Sequence, residues 1–164
     1  MAQQTTGAVL VCAAAILGGL YLTRDTESNQ QAPGFSLPET FGGSVGLESY
    51  RGRPVLLVFW TTSCGICRSE LPAVSHVAPE FRSKGIGVVA IHLGGADEVG
   101  DFMRSNHVAL TSLVDAEGVV GQAYHVSGVP KMVLIGADGK IKRTKAGMAE
   151  ESELREWMAA VGAS

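Results

Sequence analysis

Two of the three cysteines in this chain, Cys64 and Cys67, are separated by Gly65 and Ile66 alone. Such a Cys-x-x-Cys pair can hold a metal, close a structural disulfide, or alternate between dithiol and disulfide in a redox reaction. Residues 53–60 (RPVLLVFW), just before the pair, form an apolar run typical of a strand that is covered on both faces. The residues after the pair carry apolar side chains at helical spacing, so the sequence places it between a buried strand and a helix.

The start of a helix is a favourable place for thiol chemistry. Its first N–H groups have no partner within the helix and carry the positive end of the helix dipole, so they stabilise a thiolate and lower the pKa of the thiol. We expect Cys64, nearest the helix start, to be exposed and to attack a disulfide. Cys67, one turn further, is expected to be more buried and to resolve the mixed disulfide. The redox-active pair is then itself the reactive group, and no cofactor is predicted.

The sequence offers little support for the other two uses of the pair. A zinc site needs about four ligands, and no second Cys-x-x-Cys or closely spaced histidine pair follows to complete one. A structural disulfide that closes so small a ring would stabilise the fold little. No metal site is therefore predicted, and the scattered histidines are expected to be surface or hydrogen-bonded core residues: His76, His92, His107 and His125.

The first residues of the chain form a separate apolar segment. No charged side chain precedes Arg24, and residues 7–22 (GAVLVCAAAILGGLYL) are almost all apolar. With its flanking threonines this segment approaches the roughly 20 residues that a transmembrane helix needs. We predict a membrane anchor over residues 1–24, with a cleaved signal segment as the alternative, and a polar linker over residues 25–32. Arg24 lies on the domain side, which by the positive-inside rule leans towards a cytoplasmic domain.

Residues 33–164 alternate between strand and helix patterns, which predicts one layered α/β domain. A net charge of −3 without a basic cluster gives no sign of nucleic-acid binding. Around the first strand and its helix, the predicted elements are a hairpin over residues 34–50, a strand over 86–93, a helix over 97–106, a strand over 109–115, a helix over 118–126, a hairpin over 131–147 and a helix over 151–162.

This arrangement resembles the TlpA/ResA-like membrane-anchored thiol–disulfide oxidoreductases, a branch of the thioredoxin superfamily. Trp60 matches the tryptophan that closes the family's active-site strand, and Pro72 matches the proline inside its active-site helix. Residues 126–141 (VSGVPKMVLIGADGKI) match the segment with its cis-proline. The resemblance implies a thioredoxin fold, a central mixed sheet flanked by helices. An N-terminal hairpin and a central insert over residues 94–115 complete this fold, which is preceded by one transmembrane helix.

The resemblance also implies a client-binding surface. It places Val129 and Pro130 beside the cysteines, where the backbone of Val129 can pair with an extended segment of a client protein. Trp60 belongs to the same predicted surface. The alternative interpretation of Pro130 is a proline at the start of a strand, with a trans peptide bond.

Glu70, three residues after Cys67, matches the branch's active-site carboxylate. On a helix its side chain points back towards Cys67, whose proton it could take when that sulfur attacks. Val58 stands where cytoplasmic thioredoxins carry a buried aspartate, so the proton-handling group is expected at Glu70 instead. The alternative is a solvated helix glutamate. The sequence departs from the family at Ile66, because the family usually carries Gly-Pro or Glu-Pro between the cysteines.

These features predict a membrane-anchored thiol–disulfide oxidoreductase that reduces disulfides of protein clients outside the cytoplasm. The resemblance implies the extracytoplasmic location and an electron supply from a membrane-embedded thiol donor. It also implies apocytochrome c as a client type, during cytochrome c maturation.

Two other kinds of protein with related architecture stay as alternatives. A peroxiredoxin-like thiol peroxidase would share the opening of the domain. Thr61 fits its P-x-x-x-T-x-x-C pattern, but Leu57 replaces the proline. A Sco-type copper-binding module would use Cys-x-x-x-Cys and a distal histidine, for which His125 is the candidate. Here the spacing between the cysteines is one residue shorter.

Overall fold

The computed structural model describes residues 26–162. The predicted membrane anchor, residues 1–24, lies outside this range. Within the range, the structure contains no helix long and apolar enough to span a bilayer.

The described residues form eight strands and four α-helices, with a short 3₁₀ helix, Leu47–Tyr50, in front of β4. The strands are β1 (Thr26–Glu27), β2 (Ser36–Pro38), β3 (Ser44–Gly46), β4 (Val55–Trp60), β5 (Gly87–Leu93), β6 (Thr111–Asp115), β7 (Lys131–Ile135) and β8 (Ile141–Ala146). The helices are α1 (Gly65–Ser83), α2 (Val99–Ser105), α3 (Val119–Ala123) and α4 (Glu151–Gly162).

The central sheet has six strands in the order β1-β8-β7-β4-β5-β6. β4 runs parallel to β5, and β5 runs parallel to β6, whereas β7 is antiparallel to both β4 and β8. The sheet is therefore mixed, as predicted. β2 and β3 form a separate antiparallel pair, which confirms the hairpin predicted over residues 34–50.

The polar segment in front of the domain belongs to the sheet. β1 pairs with β8 through Thr26 and Thr144, and Gln31 forms an isolated bridge with Lys140. Part of the segment predicted as a linker, residues 25–32, is therefore paired with the sheet, while the boundaries of the linker stay a prediction. The pairing uses backbone groups, so the polar side chains of this edge strand carried no sign of it.

β4 is buried at every position because it lies between two hydrophobic cores. Successive side chains of a strand point to opposite faces, so β4 contributes to both cores. The first core lies under α1 and α4, and the second lies beneath the β2–β3 hairpin and α3. The β4 side chains in the first core are Leu56, Val58 and Trp60, and those in the second core are Val55, Leu57 and Phe59.

α1 presents one apolar face to the first core. The apolar side chains at helical spacing within this helix are all buried, namely Leu71, Val74, Val77, Ala78 and Phe81. Pro72 lies inside the helix, where it has no N–H to donate to the carbonyl of Arg68. The helix ends at Ser83, and Gly85 beyond it has a positive φ of 75°, a conformation that favours glycine.

The predicted insert, residues 94–115, supplies α2 and β6. β6 lies alongside β5 in parallel and forms the edge of the sheet. α2 begins at Val99 rather than at the predicted Asp97. The backbone of Glu98, directly before it, has a left-handed conformation with a φ of 65°, which does not continue a right-handed helix.

The apolar face of α1 provides a test of the packing. Phe81 is fully buried, so Phe81→Ala leaves a cavity and is expected to lower the free energy of unfolding by about 3–5 kcal/mol. Phe41 is 58% exposed on the hairpin, and Phe41→Ala is expected to cost less than about 1 kcal/mol. Denaturant unfolding of the disulfide-bonded protein measures both values. Equal losses in the two variants would contradict the assigned core.

Candidate active site

Cys64 and Cys67 lie where β4 ends and α1 begins, and their sulfurs are bonded to each other. Cys64 is the N-cap residue of α1, and its Sγ accepts a hydrogen bond from the Cys67 N–H at 3.2 Å. Cys64 is partly exposed, whereas Cys67 has no exposed surface. An incoming thiolate, or a client disulfide that Cys64 attacks, therefore has access to Cys64 first. A helix N–H group is already placed to stabilise negative charge on that sulfur.

The loop before β7 brings a backbone carbonyl to the disulfide. The Val129 carbonyl oxygen lies 3.7 Å from Cys64 Sγ, and the Val129–Pro130 peptide bond is cis, as the resemblance predicted. Pro130 is buried, and its own carbonyl accepts the Gly147 N–H at 2.8 Å. The structure thus brings Val129 and Pro130 beside the cysteines, while their contact with a client stays a prediction.

Trp60 lies beneath the site rather than on its surface. The side chain is fully buried, and its ring packs against the rings of His92 and Phe102 at centroid distances of 5.0 and 4.9 Å. Its indole N–H has no hydrogen-bond partner among the described residues. Because no surface of Trp60 is accessible in the disulfide form, the geometry favours a packing role over direct contact with a client.

His92 is a site residue that the sequence patterns missed. It lies opposite Trp60 on the parallel strand β5, and its Nε2 accepts the backbone N–H of Thr62 at 3.1 Å. Its Nδ1 lies 3.4 Å from the Gly94 carbonyl, which assigns the ring proton to Nδ1. Burial lowers the pKa of His92 and favours the neutral ring. His92 therefore anchors the loop that leads into Cys64.

Glu70 lies inside the domain, with 1% of its surface exposed, so the alternative of a solvated helix glutamate is wrong. Its Oε1 accepts the Ala149 N–H at 2.8 Å, and its Oε2 is buried without a hydrogen-bond partner among the described residues. Burial raises the pKa of Glu70 to about 7, against smaller opposing effects of the Ala149 N–H and Lys145. The carboxyl group can therefore gain and lose a proton near neutral pH.

A charged pair beside Glu70 was also missed. Lys145 of β8 forms an ion pair with Glu153 of α4, and their side chains are only 15% and 19% exposed. The two charges act on Glu70 with opposite sign, since Lys145 lowers its pKa and Glu153 raises it. Lysine and glutamate usually mark solvated faces, so nothing local in the sequence pointed to a partly buried pair.

Other features of the described chain do not add to this site. No group of three or more His, Cys, Asp or Glu side chains within residues 26–162 is placed to hold a metal. His125, the candidate copper ligand, is exposed. A cavity of about 1020 Å³ is lined by Pro54, Gly85 and Gly136, among others. It adjoins the residues before β4, at the opposite end of the sheet from the disulfide.

Comparison with known proteins identifies the family. A family model described as AhpC/TSA family matches residues 28–144, more than half of the chain. The chain belongs to the AhpC/TSA family. It is 32% identical over 154 residues to the thiol-disulfide oxidoreductase ResA of Bacillus subtilis, and the match covers 92% of this chain and 86% of that protein. The predicted resemblance to ResA-like proteins is thereby confirmed.

Solved structures confirm the thioredoxin-like fold. A secreted disulfide oxidoreductase of Mycobacterium tuberculosis, homologous to E. coli DsbE, superposes with a TM-score of 0.69 at 28% identity, covering 77% of this chain and 95% of that chain. A thiol:disulfide interchange protein of the thioredoxin family from Chlorobium tepidum superposes with a TM-score of 0.74 at 20% identity, covering 84% and 99%. With the bonded Cys64–Cys67 pair, the similarity to ResA of Bacillus subtilis confirms the predicted enzyme class, a thiol–disulfide oxidoreductase.

The raised pKa of Glu70 predicts how stability depends on pH. The folded value of about 7 exceeds the ordinary value of 4.5, so the protonated form is favoured on folding. The contribution of Glu70 to the stability of the fold is therefore most favourable below about pH 4.5, and it is lost as the pH rises through 7. Glu70→Gln keeps an acceptor for the Ala149 N–H but has no charge to bury. We expect the free energy of unfolding of Glu70→Gln, relative to that of wild type, to rise between pH 5 and pH 8 by up to about 3 kcal/mol.

Urea unfolding of the disulfide-bonded protein at several pH values measures this difference. Glu156→Gln is a matched control, because the Glu156 side chain is exposed in the folded chain. Parallel pH profiles for wild type and Glu70→Gln would contradict the buried carboxyl group.

Proposed function

We propose that this oxidoreductase passes electrons from its Cys64–Cys67 dithiol to disulfides of protein clients outside the cytoplasm. The observation that carries the proposal is the asymmetry of the two sulfurs. Cys64 is partly exposed at the helix start beside the Val129 carbonyl, whereas Cys67 is buried behind it. One sulfur is therefore accessible to a large partner, and the other is protected until a mixed disulfide has formed.

In the first step, the Cys64 thiolate attacks one sulfur of the client disulfide. The client's S–S bond breaks, a mixed disulfide with Cys64 forms, and the second client sulfur leaves as a thiolate that takes up a proton. The Cys67 N–H, which donates to Cys64 Sγ in the disulfide form, supplies a partner for the attacking thiolate.

In the second step, Cys67 loses its proton and attacks Cys64 Sγ. The mixed disulfide breaks, the Cys64–Cys67 bond forms, and the client leaves with both sulfurs reduced. Two electrons have then passed from the enzyme to the client, and the two client thiolates take up two protons, one equivalent to the proton that Cys64 released to solvent on ionising and one to the proton that Cys67 released. Glu70, buried on the same helix with a pKa of about 7, is the proposed acceptor of the Cys67 proton.

The surface around Cys64 suits an extended, apolar segment of a client. Ile66, between the cysteines, is 54% exposed. Gly147 donates a hydrogen bond to the Pro130 carbonyl, and Met148, the next residue, is 49% exposed. Backbone pairing with Val129 would align the client strand, and these apolar side chains would contact residues that flank its disulfide.

Continued turnover needs a dithiol donor that reduces the Cys64–Cys67 disulfide. We propose a thiol donor embedded in the membrane, to which the proposed anchor of this chain, residues 1–24, holds the domain close. The direction of β1 supports this arrangement. β1 is antiparallel to β8, whose last residue, Ala146, pairs with Lys131 next to Pro130. The chain thus enters the sheet from the end that carries the disulfide. Apocytochrome c, with its paired cysteines before haem attachment, is the proposed client type.

The sulfur asymmetry predicts which variant traps clients. Cys67→Ser removes the resolving sulfur, so mixed disulfides through Cys64 are expected to accumulate. Cys64→Ser removes the accessible sulfur and is expected to trap almost nothing. Non-reducing electrophoresis after alkylation with a mass-tagged maleimide measures both. Equal trapping by the two variants would refute the assigned roles.

The same preparations separate the alternative activities. Oxidation of the dithiol form by hydrogen peroxide at catalytic turnover would favour the peroxidase, and tight copper binding that is lost in His125→Ala would favour the Sco-type module. The proposed enzyme is expected to show neither.

The anchored, extracytoplasmic arrangement is tested by protease accessibility. Protease added to intact spheroplasts is expected to digest the domain, while a cytoplasmic marker protein stays whole. Deletion of residues 1–24 is expected to move the protein from the membrane fraction to the soluble fraction. Protection of the domain until the membrane is opened would place it in the cytoplasm, as the position of Arg24 favours, and would overturn the proposed role in cytochrome c maturation.

A further inference from the structure

The partly buried ion pair between Lys145 and Glu153 lies on the same side of the sheet as the redox site. Lys145 pairs with Met132 across β8 and β7, and Met132 pairs with Val58 across β7 and β4. Directly paired residues point to the same face of a sheet, so Lys145 shares the face of Val58. That face is covered by α1, which carries Glu70, and by α4, which carries Glu153.

A charge that is largely removed from water is costly unless an opposite charge accompanies it, so the partly buried Lys145 and Glu153 stabilise each other. Together they are neutral, yet each acts on the third charged group nearby. The groups whose charges act on Glu70 are Lys145 from β8 and Glu153 from α4. Cys67, three residues before Glu70 on the same helix, is bonded to Cys64 and titrates only in the dithiol form. β4 contributes the apolar Val58 to this core.

We propose that Lys145 and Glu153 are positioning residues of the redox site, whose opposite charges offset each other at Glu70 and leave its carboxyl group free to exchange a proton during turnover. The proposal rests on the proposed role of Glu70 in proton transfer. Glu70 Oε2 has no hydrogen-bond partner among the described residues, which leaves one carboxyl oxygen available to carry or release that proton.

Removing either charge of the pair by itself is expected to shift the pKa of Glu70, and the two removals are expected to shift it in opposite directions. In Lys145→Met the negative charge of Glu153 has no partner, so Glu70 is expected to keep its proton to higher pH. In Glu153→Gln the ammonium group of Lys145 has lost its carboxylate and is free to interact with Glu70. Glu70 is then expected to stay ionised to lower pH.

A purely structural link between β8 and α4 predicts a different outcome. Both single variants break the same ion pair, so loss of a structural link would weaken the fold in both and would move the titration of Glu70 in neither direction, or in the same direction. The double variant Lys145→Met/Glu153→Gln removes both charges and is expected to return the titration of Glu70 to nearly its wild-type midpoint.

The experiment is a ¹³C NMR titration of the Glu70 side-chain carboxyl carbon in the labelled full-length protein, with Glu70→Gln used to assign the signal. We expect the midpoint to rise by about one pH unit in Lys145→Met and to fall by about one pH unit in Glu153→Gln. Lys145→Arg keeps the charge and is expected to keep the wild-type midpoint. Lys142→Met, on the same strand but paired with Asp138, is the control for loss of a lysine.

Opposite shifts that cancel in the double variant support the proposal, and shifts of the same sign or unchanged midpoints overturn it. If Lys145→Met does not fold, the downward shift in Glu153→Gln and its reversal in the double variant test the proposal. A second measurement is the pH profile of mixed-disulfide resolution, whose midpoint is expected to follow the titration of Glu70 in each variant. A separate result addresses the proposed function, because a wild-type resolution rate in Glu70→Gln would overturn the role of Glu70 without altering these titrations.

Discussion

The redox site depends on one constraint, the complete burial of β4 up to the residue where it ends. Its backbone is paired on both sides, with β5 and β7, and its side chains fill two cores. The direction in which the chain leaves Trp60 is therefore determined. A short loop follows, held by His92 through the Thr62 N–H, and Cys64 then occupies the N-cap of α1. The hydrogen bond from the Cys67 N–H to Cys64 Sγ is a consequence of that position.

A second consequence of the same packing is the environment of the carboxyl group. α1 packs against the face of the sheet to which β4 contributes Leu56, Val58 and Trp60. Glu70 lies on the side of the helix that faces this core, so its side chain is buried and desolvated. The loop between β8 and α4 offsets part of this desolvation, because its Ala149 N–H donates a hydrogen bond to Glu70 Oε1. The site therefore combines an accessible sulfur, controlled by backbone dipoles, with a buried carboxyl group controlled by desolvation and by two side-chain charges.

Elements with a local signal could be predicted from the sequence, and those without one could not. The apolar run of β4, the helical spacing of α1 and the turn residues of the two hairpins all lie within short windows, and all are confirmed. β1 and the start of α2 were missed or misplaced, because strand pairing through the backbone and a left-handed residue have weak local signatures. In the site, the two sulfurs and the carbonyl of Val129 were expected together, whereas His92 was not.

By itself the sequence determined which atoms react and where they lie along the chain. Two cysteines one helical turn apart, after a buried strand, specify a redox pair because the geometry of a helix start is local. The tertiary structure alone decided whether Glu70 is charged. That property depends on how completely the side chain is desolvated and on the charges of Lys145 and Glu153, which belong to another strand and another helix. No pattern of residues near Glu70 carries this information, because electrostatic energy is set by distance in space and by the exclusion of water.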